Sequence, residues 1–171
     1  MQDEKIYLQP IELSILHDYY KGFEIDSDIY MDMSLFHKYT YSPEKVDAYY
    51  NKLKSQKDRV DFLIMLNKKP IGEICLKHID NHANSCEMSI HMQNDTVKNK
   101  GFGTIAEQFI LKYAFNNLKM KEVLANSVIK NIRSQHTLGK VGFKEISRND
   151  TFVYYKLSQS DWFANYSGHL I

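Results

Sequence analysis

The sequence predicts one α/β domain, spanning residues 1–171, whose central sheet contains a parallel pair of strands. Two observations lead there. Residues 60–92 hold three strand-like runs joined by short turns, and the apolar period then changes, with Phe102, Ile105, Ala106, Phe109, Ile110, Tyr113, Ala114 and Leu118 at helical spacing. Strand-like runs on both sides of that helix, separated by an interval long enough to cross over, require the parallel pair. A length of 171 residues with 43% hydrophobic content suits one domain with a genuine core.

The elements follow closely on one another. Ile6 to Ile11 reads as a first strand, and Glu12 to Gln56 as two or three helices, the last opening at Ser42 with Pro43 in its first position. Val60 to Leu66 and Ile71 to Ile79 are strands joined by the turn Asn67-Lys68-Lys69-Pro70, and Ser85 to Met92 pairs back through residues 80–84. Beyond the long helix come a strand at Glu122 to Val128, a helix from Asn131 to Val141 and a closing strand at Thr151 to Leu157. No repeat, low-complexity tract or Pro/Gly-rich linker interrupts this order.

Charge and composition exclude several classes. With 22 basic and 21 acidic side chains the net charge is +1, so no global field favours nucleic acid or a membrane surface. The longest purely apolar run, Phe62 to Leu66, is too short to span a bilayer, and the opening Met-Gln-Asp-Glu is unlike a signal peptide, so a cytoplasmic protein is expected. Cys75 and Cys86 fall in strand-like segments without metal-ligand spacing and read as reduced, packed thiols; no metal is expected.

Val97 to Phe109 carries the first chemical signal. The first turn of a helix has N–H groups without intrahelical partners and the positive end of the helix dipole, which together favour a phosphate. Gly101 and Gly103 lack the Cβ that would keep a diphosphate from the backbone, and Lys98 and Lys100 add positive charge. The alternative is a glycine-containing loop with exposed lysines that happens to precede a helix. No Gly-x-x-x-x-Gly-Lys-Ser/Thr run exists. Gly101 to Ala106 formally matches Gly-x-Gly-x-x-Ala, but its glycines lie about nine residues past the preceding strand, where a dinucleotide fold turns directly from strand into helix.

Asn131 to Phe143 carries the second. Asn131 suits an N-cap, and Gly142 followed by Phe143 suits a left-handed helix stop with an apolar anchor. Taken together, the basic Gly-x-Gly loop, helix, strand and capped Asn-x-x-Ser helix resemble the GNAT superfamily of acetyl-CoA-dependent N-acetyltransferases. The family motif Gln/Arg-x-x-Gly-x-Gly/Ala is matched by Lys98-Asn99-Lys100-Gly101-Phe102-Gly103, with lysine a cationic departure at the first position. Leu8-Gln9-Pro10 resembles the Leu-Arg-Pro of the branch containing ribosomal-protein N-terminal and spermidine acetyltransferases.

The resemblance implies a mixed, splayed sheet of about six or seven strands flanked by helices, with acetyl-CoA as co-substrate. It further implies that pantetheine lies along the fourth strand at Ile90, His91 and Met92. Amides from Lys100 through Gly101, Phe102, Gly103 and Thr104 would cradle the pyrophosphate beside Lys98 and Asn99, and Asn131 and Ser134 would contact the cofactor. Family relatives are often homodimers.

Direct acyl transfer to an amine needs a fixed donor for the oxyanion, which a strand N–H near Ile90 to Met92 can supply. It also needs a neutral amine, and at pH 7 only about one in a few thousand groups of pKa ~10.4 is neutral. Glu87 is the preferred base, sharing a strand face with Ser89 and His91; a cross-strand ion pair is its alternative. Glu73 on the preceding strand is the weaker candidate, with solvent exposure as its alternative. Relatives that protonate the leaving thiolate with tyrosine carry it seven residues after the asparagine, where this chain has Leu138. The acid is therefore open, with Ser134 or His136 as assistants and a surface position as the alternative for His136.

For the acceptor, Tyr19, Tyr20, Tyr30, Tyr39, Tyr41, Tyr49 and Tyr50 accompany Glu24, Asp26, Asp28 and Asp32 in the region that forms a cleft wall in the family. Asp28, Tyr30 and Glu87 are the expected contacts for a cationic amine, with a solvated acidic helix end as the alternative. The expected acceptor is a polyamine-like small molecule or a peptide N-terminus. A non-catalytic GNAT-shaped domain that holds acyl-CoA is the competing reading. The sequence leaves the role of the tail Asn165 to Ile171 open between closing a cleft and meeting another subunit.

Overall fold

The computed structural model describes residues 5–166; the opening Met-Gln-Asp-Glu and most of the tail lie outside the described residues. Strand β1 (Ile6–Pro10) leads to helix α1 (Leu13–Lys21), two short 3₁₀ turns at Ser27–Ile29 and Met33–Leu35, and helix α2 (Pro43–Ser55). Strands β2 (Val60–Leu66), β3 (Lys69–Asp80) and β4 (Ser85–Met92) form the meander, followed by helix α3 (Phe102–Asn116) and strand β5 (Glu122–Val128). Helix α4 (Ile132–Lys140), strands β6 (Lys144–Arg148) and β7 (Phe152–Ser158) and helix α5 (Gln159–Tyr166) complete the order.

One mixed seven-stranded sheet results, in the order β1-β2-β3-β4-β5-β7-β6, antiparallel except at β4 and β5. Strand alternation feeds two cores. Ile64 joins the core under α3, whereas its neighbours Leu63 and Met65 pack on the other face against Leu16 and Tyr19 of α1 and Val46 and Leu53 of α2. Each such fully buried aliphatic side chain contributes about 1.5–3 kcal/mol. Among the described residues, no helix is long and apolar enough to cross a membrane.

Local signals place the helix ends. Ser42 accepts the Lys45 N–H with Pro43 in the first turn, and Asn131 Oδ1 accepts the Ser134 N–H at 3.0 Å. After α4, Gly142 adopts φ +101°, its N–H bonds Gly139 O, and the Phe143 N–H reaches back to Leu138 O. Differences from expectation are local. The hairpin turn needs only Asn67 and Lys68, both at positive φ, so Lys69 and Pro70 already belong to β3. Strand β6 and helix α5 escape sequence reading because β6 is exposed along its whole length and carries no apolar alternation, and α5 is a single short helix. Cys75 and Cys86 are buried and free, and burial pushes their thiols up to about 11 and 12.

The functional feature is a split in the sheet. Strands β4 and β5 pair only from Ser85 to Glu87, against Glu122 to Leu124, while β4 continues to Met92 and β5 to Val128. Strand β5 stays paired with β7 over its full length, and β4 with β3 up to Met92, so the two halves diverge. The Gln93 N–H donates to Ile71 O at 2.8 Å. Antiparallel alternation then turns the His91 N–H toward β3 and the Ile90 and Met92 N–H groups into the gap.

Gly142→Ala is expected to lose about 1–2 kcal/mol of stability in urea unfolding, because a Cβ at this φ is strained and meets Asn165 Nδ2 at 3.1 Å. An unchanged midpoint would contradict the left-handed stop.

Candidate active site

The gap between β4 and β5 holds a cavity of about 250 Å³, lined by Ile90, His91 and Met92 of β4, Gly103 and Glu107 of α3, and Asn131, Ser134 and Thr137 of α4. Phe23 to Asp26, Ile29 and Tyr30 from the α1–α2 connection cover it. Hydrogen bonds fix that cover: Glu24 N–H to Gln93 O at 2.8 Å, Gln93 Nε2 to Tyr19 O at 2.6 Å and Asn94 Nδ2 to Gly22 O at 3.0 Å.

A second cavity, about 330 Å³, forms the mouth at the start of α3. It shares Met92, Lys98, Gly103, Arg133 and Thr137 with the first, so the two are continuous. The first bond of α3 runs from Ile105 N–H to Gly101 O, leaving the Phe102, Gly103 and Thr104 N–H groups ahead of the helical ladder. Gly101 stands at φ +83° with open space where a Cβ would be, and a Cβ at Gly103 would meet nothing closer than Ile90 Cδ1 at 3.9 Å. The phenyl ring of Phe102 is buried, so that residue offers the cavity its backbone. Asn99 lines the mouth, whereas Lys100 is exposed outside it.

The charge at the mouth differs from expectation. Lys98, only 8% exposed at its side chain, lies 2.7 Å from Asp26 and 2.8 Å from Asp95, so its charge is spent within the protein. Burial alone would raise the Asp26 carboxyl, but the Lys98 hydrogen bond and the Lys98 and Arg133 charges hold it below the usual range. Arg133, His136 and Lys140 of α4 line the mouth instead. Their spacing puts them on one helix face, the signal in the sequence that would have identified them. His136 thus faces the mouth, away from Ile90.

On the opposite face of the sheet a cavity of about 130 Å³ is lined by Tyr49, Arg59, Glu73, Cys75, Lys77, Ser89 and His91 and, with Ile90 and His91 lining both, meets the first cavity. Glu73 is not solvent-facing: it is 5% exposed and accepts hydrogen bonds from Tyr49 and, at 3.1 Å, from Tyr20. Burial pushes its carboxyl up to about 7 against the opposing pull of both tyrosines. His91 Nε2 stands 3.7 Å from Glu73, and its Nδ1 is 3.1 Å from the Tyr19 hydroxyl. Surrounding protein and the Lys98 charge hold the imidazole below its usual pKa, tempered by the 42% of its side chain that stays open.

Glu87 shares the face of Ser89 and His91, but it sits where β4 is still paired. Lys77 Nζ lies 2.9 Å from it and Asn126 Nδ2 donates to it at 3.1 Å, so it is the cross-strand ion pair and lines none of these cavities. Tyr30 lines the first cavity; Asp28 does not. Asp26 and Asp32 are occupied capping their own 3₁₀ turns, and the acid beside the tyrosines comes from β3. Leu138, at the position where relatives place tyrosine, is buried in the core.

A sheet split at its parallel pair, with a glycine-opened helix start at the mouth and a buried carboxylate across the strand, suits an acyltransferase. Residues 5–144 match the acetyltransferase (GNAT) domain, and the chain belongs to that family. It is similar in structure to the spermidine N-acetyltransferase of Vibrio cholerae in complex with CoA and spermine, with 21% identity over 92% of this chain and 98% of that chain and a TM-score of 0.72. It is also similar to a chimera of that enzyme and hSSAT, with 20% identity, 92% and 98% coverage and a TM-score of 0.75. A dodecameric structure of the Vibrio cholerae enzyme matches at 19% identity over 94% and 97% of the chains, with a TM-score of 0.72. No curated protein matches this chain.

Glu73 and Glu107, the latter pushed by burial up to about 8, are carboxyls whose folded pKa values exceed the unfolded value of ~4.3. Below ~4.3 their contribution is fully present, and it is lost as pH rises through about 7 and 8. Urea unfolding should therefore show the protein weaker at pH 8.5 than at pH 5, and the Glu73→Gln/Glu107→Gln double variant should flatten that difference. Identical slopes for the two proteins would contradict the burial of these groups.

Proposed function

We propose that the protein transfers an acetyl group from acetyl-CoA to a primary amine by direct attack. The observation that carries this reading is the meeting of two cavities at Ile90 and His91, one opening at a helix N-terminus and the other ending on Glu73. The residues present fit the donor: the free N–H groups at Phe102, Gly103 and Thr104 suit its diphosphate, with Lys140 supplying charge. Lys98, Asn99 and Lys100 shape the loop, and Asn131 and Ser134 flank the arm. Acetyl-CoA supplies an activated thioester carbonyl.

The chain's own groups then divide the work. The Ile90 N–H, turned into the gap, donates to the carbonyl oxygen as charge develops there, with Met92 on the same edge. Glu73, with a carboxyl near pH 7, takes the proton the amine sheds as the nitrogen–carbon bond forms, held by the hydroxyls of Tyr20 and Tyr49. The Ser134 hydroxyl hydrogen-bonds the leaving sulfur. A thiolate of pKa ~8.5 departs without a stronger acid, consistent with Leu138 where relatives have tyrosine.

Tyr19 and Tyr49 pack edge to face on Tyr20 and Tyr39 lies tilted against it, next to Glu73, a setting for a cationic amine through charge and ring contact. The acceptor is a polyamine-like small molecule or a peptide N-terminus, and the spermidine and spermine named for the similar structures favour the former. Tyr30 closes the donor side. We further propose a cytoplasmic location and a homodimer or larger assembly, supported by the dodecameric similar structure.

Gly103→Arg should abolish acetyl-CoA binding in calorimetry, at least about a hundredfold or 2.7 kcal/mol, by filling the passage between mouth and cleft. Retained affinity would sink the donor assignment. With a polyamine acceptor, kcat/KM should fall as pH drops below about 7 because Glu73 must be ionised to accept a proton. Glu73→Gln should remove that limb and lower the rate by about 10²–10⁴, whereas Glu87→Gln keeps it. A limb that vanishes with Glu87→Gln would return the base to that residue.

A further inference from the structure

Glu107 is unexplained by the chemistry above. It is 2% exposed, and its Oε2 is buried without a hydrogen-bond partner among the described residues. Among the described residues it forms no ion pair, and Lys98 and Arg133, which line the same cavity, pair with Asp26 and Asp95 instead. A buried carboxyl in this condition is unfavourable unless something else bonds it.

Its place in the fold says what that is. Glu107 stands four residues after Gly103, hence on the same face of α3 one turn deeper, and both line the donor cavity. Ile90, whose N–H faces the gap, and Gly103, which also lines the mouth, share that cavity with Glu107. A ligand whose diphosphate sits at the mouth and whose thioester sits at Ile90 passes Glu107 with its connecting arm. In acetyl-CoA that arm carries two amides.

We propose that Glu107 recognises the pantetheine arm of acetyl-CoA as a neutral carboxylic acid, donating its O–H to an amide carbonyl of the arm. The inference rests on the reading of the donor cleft given above. A neutral acid suits the site because the amide carbonyl accepts but cannot donate, and an ionised carboxylate would face that oxygen with repulsion. Burial, which pushes this carboxyl up to about 8, supplies the proton at neutral pH.

Other ionisable groups share the cavity: His91 from β4, Lys98 from the loop before α3, Arg133 from α4, and Glu24, Asp26 and Tyr30 from the α1–α2 connection. Strands β1, β3 and β5 turn apolar residues such as Leu8, Ile74 and Val123 to this side of the sheet. A pH effect that belongs to Glu107 is therefore isolated by comparison with Glu107→Gln, which keeps every one of them.

Calorimetric titration with two probes tests the proposal: acetyl-CoA, and adenosine 3′,5′-bisphosphate, which lacks the arm. Acetyl-CoA affinity of the unaltered protein should fall about tenfold between pH 7 and pH 9, because the protonated fraction of a group near 8 falls by that factor. Glu107→Gln, which keeps an N–H donor, should bind acetyl-CoA at pH 7 and show none of that fall. Glu107→Leu should lose about tenfold at pH 7 for acetyl-CoA and nothing for the bisphosphate.

Equal acetyl-CoA affinity in Glu107→Leu and the unaltered protein overturns the inference, as does the same pH slope in Glu107→Gln. Should the leucine variant fail to fold, the slope comparison decides alone. Failure of the unaltered protein to bind acetyl-CoA at any pH instead overturns the donor reading itself, and this inference with it.

Discussion

The parting of β4 from β5 after three paired residues is the constraint on which the site depends. Each strand is held by its outer neighbour, β4 by β3 and β5 by β7, so the sheet opens without either strand losing its support. The opening leaves gap-facing backbone groups of β4 without a strand partner, and buried backbone donors demand one. A ligand lying along that edge supplies it. The same split sets the direction of approach, because α3 begins at one end of the gap and presents its unbonded N–H groups there.

A second constraint is electrostatic. Lys98, Asp26, Asp95 and Arg133 form one network that ties the α1–α2 connection to the loop before α3 and to α4. Lys98 is therefore a structural cation. Arg133 shares those two acids, so among the described residues the positive charge left over at the mouth is that of Lys140 in α4, and the wall over the cleft is held in place by the acid that neutralises Lys98. The mouth and the cover of the cleft are thus parts of one charge arrangement.

The acceptor side follows a different logic, in which burial tunes a carboxyl. Glu73 is covered by tyrosines of α1 and α2 that hydrogen-bond it and exclude water at once. Exclusion raises its affinity for a proton, and the hydroxyls limit the rise, leaving it near 7. Glu107 lacks such hydroxyls, and desolvation acts on it alone. Two carboxyls of the same kind are thereby suited to opposite tasks, one accepting a proton and the other keeping its own.

Much of this was legible in the chain itself. The change of period after Met92 fixed the long helix, Gly101 and Gly103 marked its open start, and Asn131 and Gly142 marked both ends of the next helix, since each depends on neighbours a few residues away. The choice between Glu87 and Glu73 was not legible, because both occupy alternating positions on strands and alternation does not say what covers a face. Only the packing of α1 and α2 over β3 made Glu73 the buried acid, and only the pairing of Lys77 across to β4 made Glu87 the ion pair. The fate of Lys98 and the isolation of Glu107 were decided in the same way. Local sequence sets dihedral preferences and period, whereas dielectric and charge partners come from segments distant in the chain, which meet only when the sheet and its helices close.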